Sequence, residues 1–204
     1  MSHFFVMVVG KDVDDQLAPF NENIRVDRYD EGPLESDDIQ RFVKHYQNEY
    51  PELYSKNFEE IYELFGDDWN GGDWQKDSQG QWRVTSTWNP DAKWDWYIVG
   101  GRWTGAFKAK PNVEGQLGMA GLLTEPAKEG WYDVLHKRDI DVEGTEDFIP
   151  FALLVHGTWY ERATMGWFGM TANETPDEEW KRIFMELWDQ IDDNELITAV
   201  DCHI

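Results

Sequence analysis

The first apolar block of the chain is His3-Phe4-Phe5-Val6-Met7-Val8-Val9. It is apolar on both faces, which predicts a central buried strand. Residues 10–35 are broken by Pro19, Gly32 and Pro33 and read as irregular. Ile39, Phe42, Val43 and Tyr46 then recur at i, i+3, i+4 and i+7. They predict a helix from about Asp37, where Asp37-Asp38-Ile39-Gln40 fits a capping box, with Pro51 stopping or kinking it. A second helix is expected after Asn57, with Glu60 three residues on and Phe58, Ile61, Tyr62 and Phe65 as its buried stripe.

Residues 66–92, rich in Gly, Asp, Asn and Trp, read as a long excursion. A strand is expected from Trp94 to Val99. Gly100-Gly101 then forms a bulge or tight bend before a second run, Arg102 to Lys108. Residues 111–130 hold four Gly and two Pro, a composition that fits a mobile lid or a disordered insertion equally well. Phe148 to Tyr160 reads as a further strand. Thr175-Pro176-Asp177-Glu178 opens a helix whose broad apolar face carries Trp180, Ile183, Phe184, Leu187, Trp188 and Ile191. Leu196 to Ile204 is the last strand.

The order β-α-β-β-α-β is that of an α+β, ferredoxin-like sheet with helices on one face and long aromatic-rich insertions. It predicts a single domain, 1–204, with insertions at about 66–92 and 111–147. In that topology the first and last strands are antiparallel neighbours, so His3 and His203 are expected side by side at one end of the sheet.

Eighteen basic and 41 acidic residues leave a net charge of −23. The charge is uneven. Residues 1–75 and 125–195 each carry 18 acids against 6 bases, whereas residues 76–124 carry 4 against 6. Such a chain is not expected to bind nucleic acid directly, because phosphate contacts need Lys and Arg. The acid serves solubility, or it imitates nucleic-acid phosphates toward a basic partner. No apolar run approaches a membrane span, and the opening residues read as a strand rather than a signal peptide. The single cysteine, Cys202, leaves no internal disulfide and fits a reducing cytoplasm.

Candidate chemistry gathers in the one window that is not acidic, Lys93 to Gly105. Trp94, Trp96, Tyr97 and Trp103 offer flat faces. Arg102 offers a planar fork for phosphate, and Gly100-Gly101 permits close backbone approach. Trp167 and Phe168, between Gly166 and Gly169, are expected as an opposite wall. Cross-strand packing explains any one of these tryptophans equally well. Gly100-Gly101 fits neither a dinucleotide-binding nor a phosphate-loop motif. His3, Asp201 and His203 are weak catalytic candidates, since wet strand ends collect polar residues anyway. Asp201 and His203 share one strand face, and Cys202 points to the other. No metal-ligand spacing is present, and no cofactor or metal is expected. Asp95 and Glu161 are further acid–base candidates of low specificity among 41 acids.

These residues carry a resemblance. His3 to Gly10, Gln16-Leu17-Ala18-Pro19-Phe20, Lys93 to Gly105, Met165-Gly166-Trp167-Phe168-Gly169 and Val200-Asp201-Cys202-His203-Ile204 resemble a family of uncharacterised phage and prophage proteins. The resemblance spans both ends and the centre, and brings no catalytic assignment. It implies a small cytoplasmic protein made during infection and acting in counter-defence. The expectation is a non-catalytic sponge for a small anionic, nucleotide-like immune signal of the host. Trp94, Trp96, Tyr97, Gly100, Gly101, Arg102, Trp103, Trp167 and Phe168 would form its site. The alternatives are an acidic mimic that inhibits a host defence enzyme, and a hydrolase using His3, His203 and Asp201. The hydrolase requires His3, His203 or Asp201 to line the same pocket. No membrane partner is expected; a second copy of the chain or a host protein stays open as a partner.

Overall fold

The computed structural model describes residues 2–166 and 169–204. The chain divides into two compact units, Met1–Ile24 with Asn89–Ile204, and Arg25–Trp88. A single domain with an insertion at 66–92 was the expectation. The division arises because residues 25–88 close a core of their own. Helices Ser36–Glu49 and Phe58–Asn70 bury Phe42, Tyr46 and Ile61 together with Trp74. A small antiparallel sheet, in the order Tyr29–Pro33, Trp82–Ser86, Trp74–Lys76, completes that unit.

Local signals explain these helix ends in part. Asn57 accepts from the Glu60 amide at 3.0 Å, and the Glu60 carboxylate accepts from the Asn57 amide at 2.9 Å, the reciprocal box the sequence predicts. This helix runs into the expected excursion and stops at Gly71, in the left-handed conformation. The box expected at Asp37 is not made. That helix begins at Ser36, with Glu35 at its N-cap and no side-chain cap bond.

The larger unit is built on a mixed α+β sheet. Its strands run Thr158–Glu161, Ala152–Val155, His3–Val9, Leu196–His203, Trp96–Gly101, Met119–Ala120, with Val134–His136 also paired to Leu196–His203. The first strand lies parallel to Ala152–Val155 and antiparallel to the last strand. A ferredoxin-like order would pair Trp96–Gly101 with the Ala152 strand; instead it pairs with the last strand. Its place beside Ala152–Val155 is taken by Thr158–Glu161. The run from Phe148 to Tyr160, expected as one strand, reverses at His156-Gly157. Both residues have positive φ, 47° and 82°, as a tight hairpin turn requires.

Both faces of the sheet are covered, but not by the expected layer of helices. On one face the helix Asp177–Gln190 buries Trp180, Phe184 and Trp188 against Phe5, Met7 and Ala199. Each such aromatic contributes about 1.5–3 kcal/mol relative to exposure. Its N-cap is Pro176, one residue beyond the Thr175 the sequence indicates, without a side-chain cap bond. On the other face Phe4, Val6, Val8, Leu154 and Val200 pack with Leu17 and Trp94. Among the described residues no helix is long and apolar enough to cross a membrane.

Candidate functional site

The antiparallel register places His3 opposite His203, and His203 opposite Trp96. Ser2 and Ile204 exchange backbone hydrogen bonds at 3.2 and 3.1 Å. The next pair, His3 and His203, therefore occupies a non-hydrogen-bonded site, where facing side chains come closest. Their ring centroids lie 5.0 Å apart, edge to face. Trp96 stacks on His203 at 4.9 Å and 15°, and meets His3 edge-on at 5.2 Å. Alternation along the first strand puts His3 on the face of Phe5 and Met7. The row of three rings thus stands on the helix-bearing side of the sheet.

Each imidazole is held by a different aspartate. Nδ1 of His3 lies 2.7 Å from Oδ1 of Asp201, a buried residue. Nδ1 of His203 lies 2.6 Å from Oδ1 of Asp95. Glu22 sits close enough for its carboxyl to be raised above the usual range, by burial first and then by Asp95, with His203 opposing. Nε2 of His203 is buried without a hydrogen-bond partner. Nε2 of His3 is likewise free of protein partners among the described residues. With both Nδ1 atoms turned onto carboxylates, no group of three or more His, Cys, Asp or Glu is gathered around a common metal position among the described residues.

A cavity of about 590 Å³ opens beside this row, lined by His3, Trp96, Arg102 and Asp201, with Leu122 and Leu123 at its edge. The second oxygen of Asp201 accepts the backbone N–H of Arg102 at 2.9 Å. One buried carboxylate therefore positions both the imidazole and the backbone carrying the guanidinium. The Arg102 side chain is exposed and has no ion pair among the described residues. Leu122 and Leu123 are 100% and 97% exposed and form an apolar rim.

The Gly-Gly step serves this geometry in a way composition did not reveal. It was expected to lend backbone amides to a ligand. Instead both glycines are buried, with φ of +84° and +59°. A Cβ on Gly101 would fall 2.3 Å from Cβ of Asp201, and one on Gly100 would fall 2.6 Å from Oδ2 of Asp133. The carbonyl of Gly100 accepts from Trp103, and that of Gly101 from Gly121. The glycines make room for two carboxylates of the protein. Asp133, fully buried, uses its own to accept from the amides of Gly105 at 2.5 Å and Gly118 at 2.8 Å.

Two more expected site residues lie elsewhere. Trp94 and Tyr97 point to the opposite face of the sheet. Trp94 is buried and donates its indole N–H to the Leu17 carbonyl at 3.1 Å. Tyr97 meets Trp94 edge-on at 5.0 Å, and its hydroxyl bonds to Asp14. Burial and that carboxylate push the phenol well above its usual value. Strand alternation sends Trp96 and Tyr97 to opposite faces, whereas Trp94 precedes the strand and is set by its packing and its bond to Leu17. Trp103 remains on the site's side, stacked on Phe5 at 5.7 Å. Trp167 and Phe168 lie outside the described residues. Glu161 bonds to Lys93 at 2.7 Å and to the Trp159 indole at 2.9 Å, so it does not pair with Asp95. Cys202 is fully buried on the opposite face, and its thiol is pushed far up by burial and then by Asp201.

Comparison with protein-family models, with curated proteins and with solved structures returns no match.

Proposed function

We propose that the cavity binds a small nucleotide-like phosphate ester and that the protein hydrolyses it. The observation that carries this reading is the His3–Asp201 pair on the cavity wall. Its carboxylate is buried, its outer imidazole nitrogen has no partner among the described residues, and Arg102, also without an ion pair among them, lines the same cavity. A carboxylate on Nδ1 fixes the tautomer that leaves Nε2 able to accept a proton. Arg102 suits the phosphoryl oxygens, and the 41% exposed face of Trp96 suits a stacked base. Of the three residues named for a hydrolase, His3 and Asp201 line the cavity and His203 does not.

The step balances with water alone. Water adds to phosphorus as one of its protons passes to Nε2 of His3. The bond from phosphorus to the leaving oxygen breaks, and the electron pair goes to that oxygen. The imidazolium returns the proton there, releasing an alcohol and a phosphate with one ester bond fewer. In the setting implied by the resemblance to phage proteins, the ligand is a nucleotide-derived signal of host immunity, degraded in the cytoplasm.

A non-catalytic sponge is the second reading, favoured by the apolar rim of Leu122 and Leu123, which suits closure over a retained ligand. Ligands released by heat from wild-type and His3→Ala protein, purified from bacteria with nucleotide signalling induced, separate the two by mass spectrometry. Hydrolysis predicts a processed product from the wild type and an intact ester from His3→Ala. Intact ester from both makes the protein a sponge. No nucleotide-like species from either protein overturns both readings and points to the acidic surface.

A further inference from the structure

His3 belongs to the wall of two cavities. A second space of about 520 Å³ opens on its other side, lined by Phe5, Trp103, Trp180 and Arg162 among others. Both volumes fall in the range that receives a small organic group of nucleoside size. The inner wall of the second cavity is aromatic. Phe5 and Trp103 are stacked at 15°, and Trp180 has its only polar atom bonded to the Pro150 carbonyl at 2.7 Å. Its rim is charged. Arg162 pairs with Asp177 at 2.7 Å, Lys181 has no ion pair among the described residues, and Asp147 and Glu178 add negative charge to the lining. Both cavities join an aromatic wall to a cation without an ion pair among the described residues, Trp96 with Arg102 on one side and Trp103 with Lys181 on the other, and the second carries carboxylates as well.

We infer that the substrate is a phosphodiester joining two nucleoside-sized groups, with the bridging phosphate at His3 and one group in each cavity. This rests on the phosphoester reading and narrows it. A monoester carries one organic group and would leave one aromatic cavity empty. A diester has two substituents diverging from phosphorus, and the catalytic imidazole must then stand between their sites, as His3 does. Hydrolysis breaks one of the two bridging bonds, adds water across it, and releases a nucleoside and a nucleotide.

The test uses a panel of 3′,5′-linked dinucleoside monophosphates against the matching nucleoside monophosphates. Binding is read by calorimetry on the full chain carrying His3→Ala, and cleavage by chromatography with the wild type. At least one dinucleoside monophosphate is expected to bind about tenfold or more tightly than either of its halves, the contribution of one further stacked base. Lys181 lies on an exposed helix position, so Lys181→Trp fills the second cavity without touching the core. That variant is expected to abolish the preference for the diester. Nucleoside monophosphates bound as tightly as diesters, or a preference unchanged in Lys181→Trp, would overturn the two-sided substrate and leave a phosphoester site standing. Failure of every ester to bind or be cleaved removes the phosphoester reading itself, and the inference with it.

Discussion

His3 and His203 face each other across the first and last strands, 5.0 Å apart, yet each is bonded to a different aspartate. His3 takes Asp201 from the same neighbouring strand. His203 takes Asp95 from the residue just before the strand on its other side. Two imidazoles that share one carboxylate compete for it; these two do not. The two imidazoles are therefore oriented independently, one on the cavity wall and one buried beneath Trp96.

Asp201→Asn tests the first of them. The side chain keeps its shape but loses the charge that fixes the His3 tautomer. Turnover of a phosphoester substrate is expected to fall about 100-fold or more, with KM changed far less. Steady-state kinetics measures the split, and thermal unfolding checks that the buried amide is tolerated. Equal loss in KM would make Asp201 a part of ligand binding instead.

Gly101→Ala and Gly130→Ala separate crowding from backbone strain. Both glycines have positive φ, +59° and +78°, but a Cβ on Gly130 meets nothing within 4 Å. Gly130→Ala should cost about 1–2 kcal/mol from the left-handed backbone alone. Gly101→Ala must also push Asp201 aside, and should cost about 3 kcal/mol or more. Urea denaturation of the two variants gives the comparison. Equal costs would mean that the Asp201 approach is relaxed easily.

Glu22 makes a prediction about pH. Its carboxyl is raised in the folded protein, first by burial and then by Asp95. A raised acid binds its proton more tightly folded than unfolded, so its contribution is most favourable in acid. That contribution is lost as pH rises through the ordinary glutamate value and on to the folded one. Glu22→Gln should therefore stabilise the protein at neutral pH and confer no gain below the ordinary carboxylate range. Melting temperatures across that interval check it; a gain that persists in acid would assign the effect to something other than ionisation.

Cys202 provides a reporter of the sheet. Buried on the face opposite His203, with its thiol held in the protonated form, it should not react with a disulfide reagent in the native state. Labelling should instead follow global opening of the sheet and accelerate with urea in step with unfolding. Rapid labelling in buffer would show that the last strand frays.

Much of the local structure was legible because it depends on near neighbours. The central first strand, the Asn57–Glu60 box and the apolar face of Trp180, Phe184 and Trp188 all follow from periodicity and capping. So does the opposition of Asp201 and His203 to Cys202. The facing of His3 and His203 required one step more, an antiparallel pairing of first and last strands, and it holds.

Periodicity alone thus told which residues share a strand face or a helix face, since the periods of 2 and 3.6 are properties of the backbone. Tertiary structure decided which faces meet. Trp96 reaches the histidines because Trp96–Gly101 pairs with the last strand. Residues 25–88 form their own unit because their aromatics close on each other. Gly100 and Gly101 accommodate Asp133 and Asp201, acids 33 and 100 positions away along the chain. Nothing in a run of glycines states which distant side chain will occupy the space they leave.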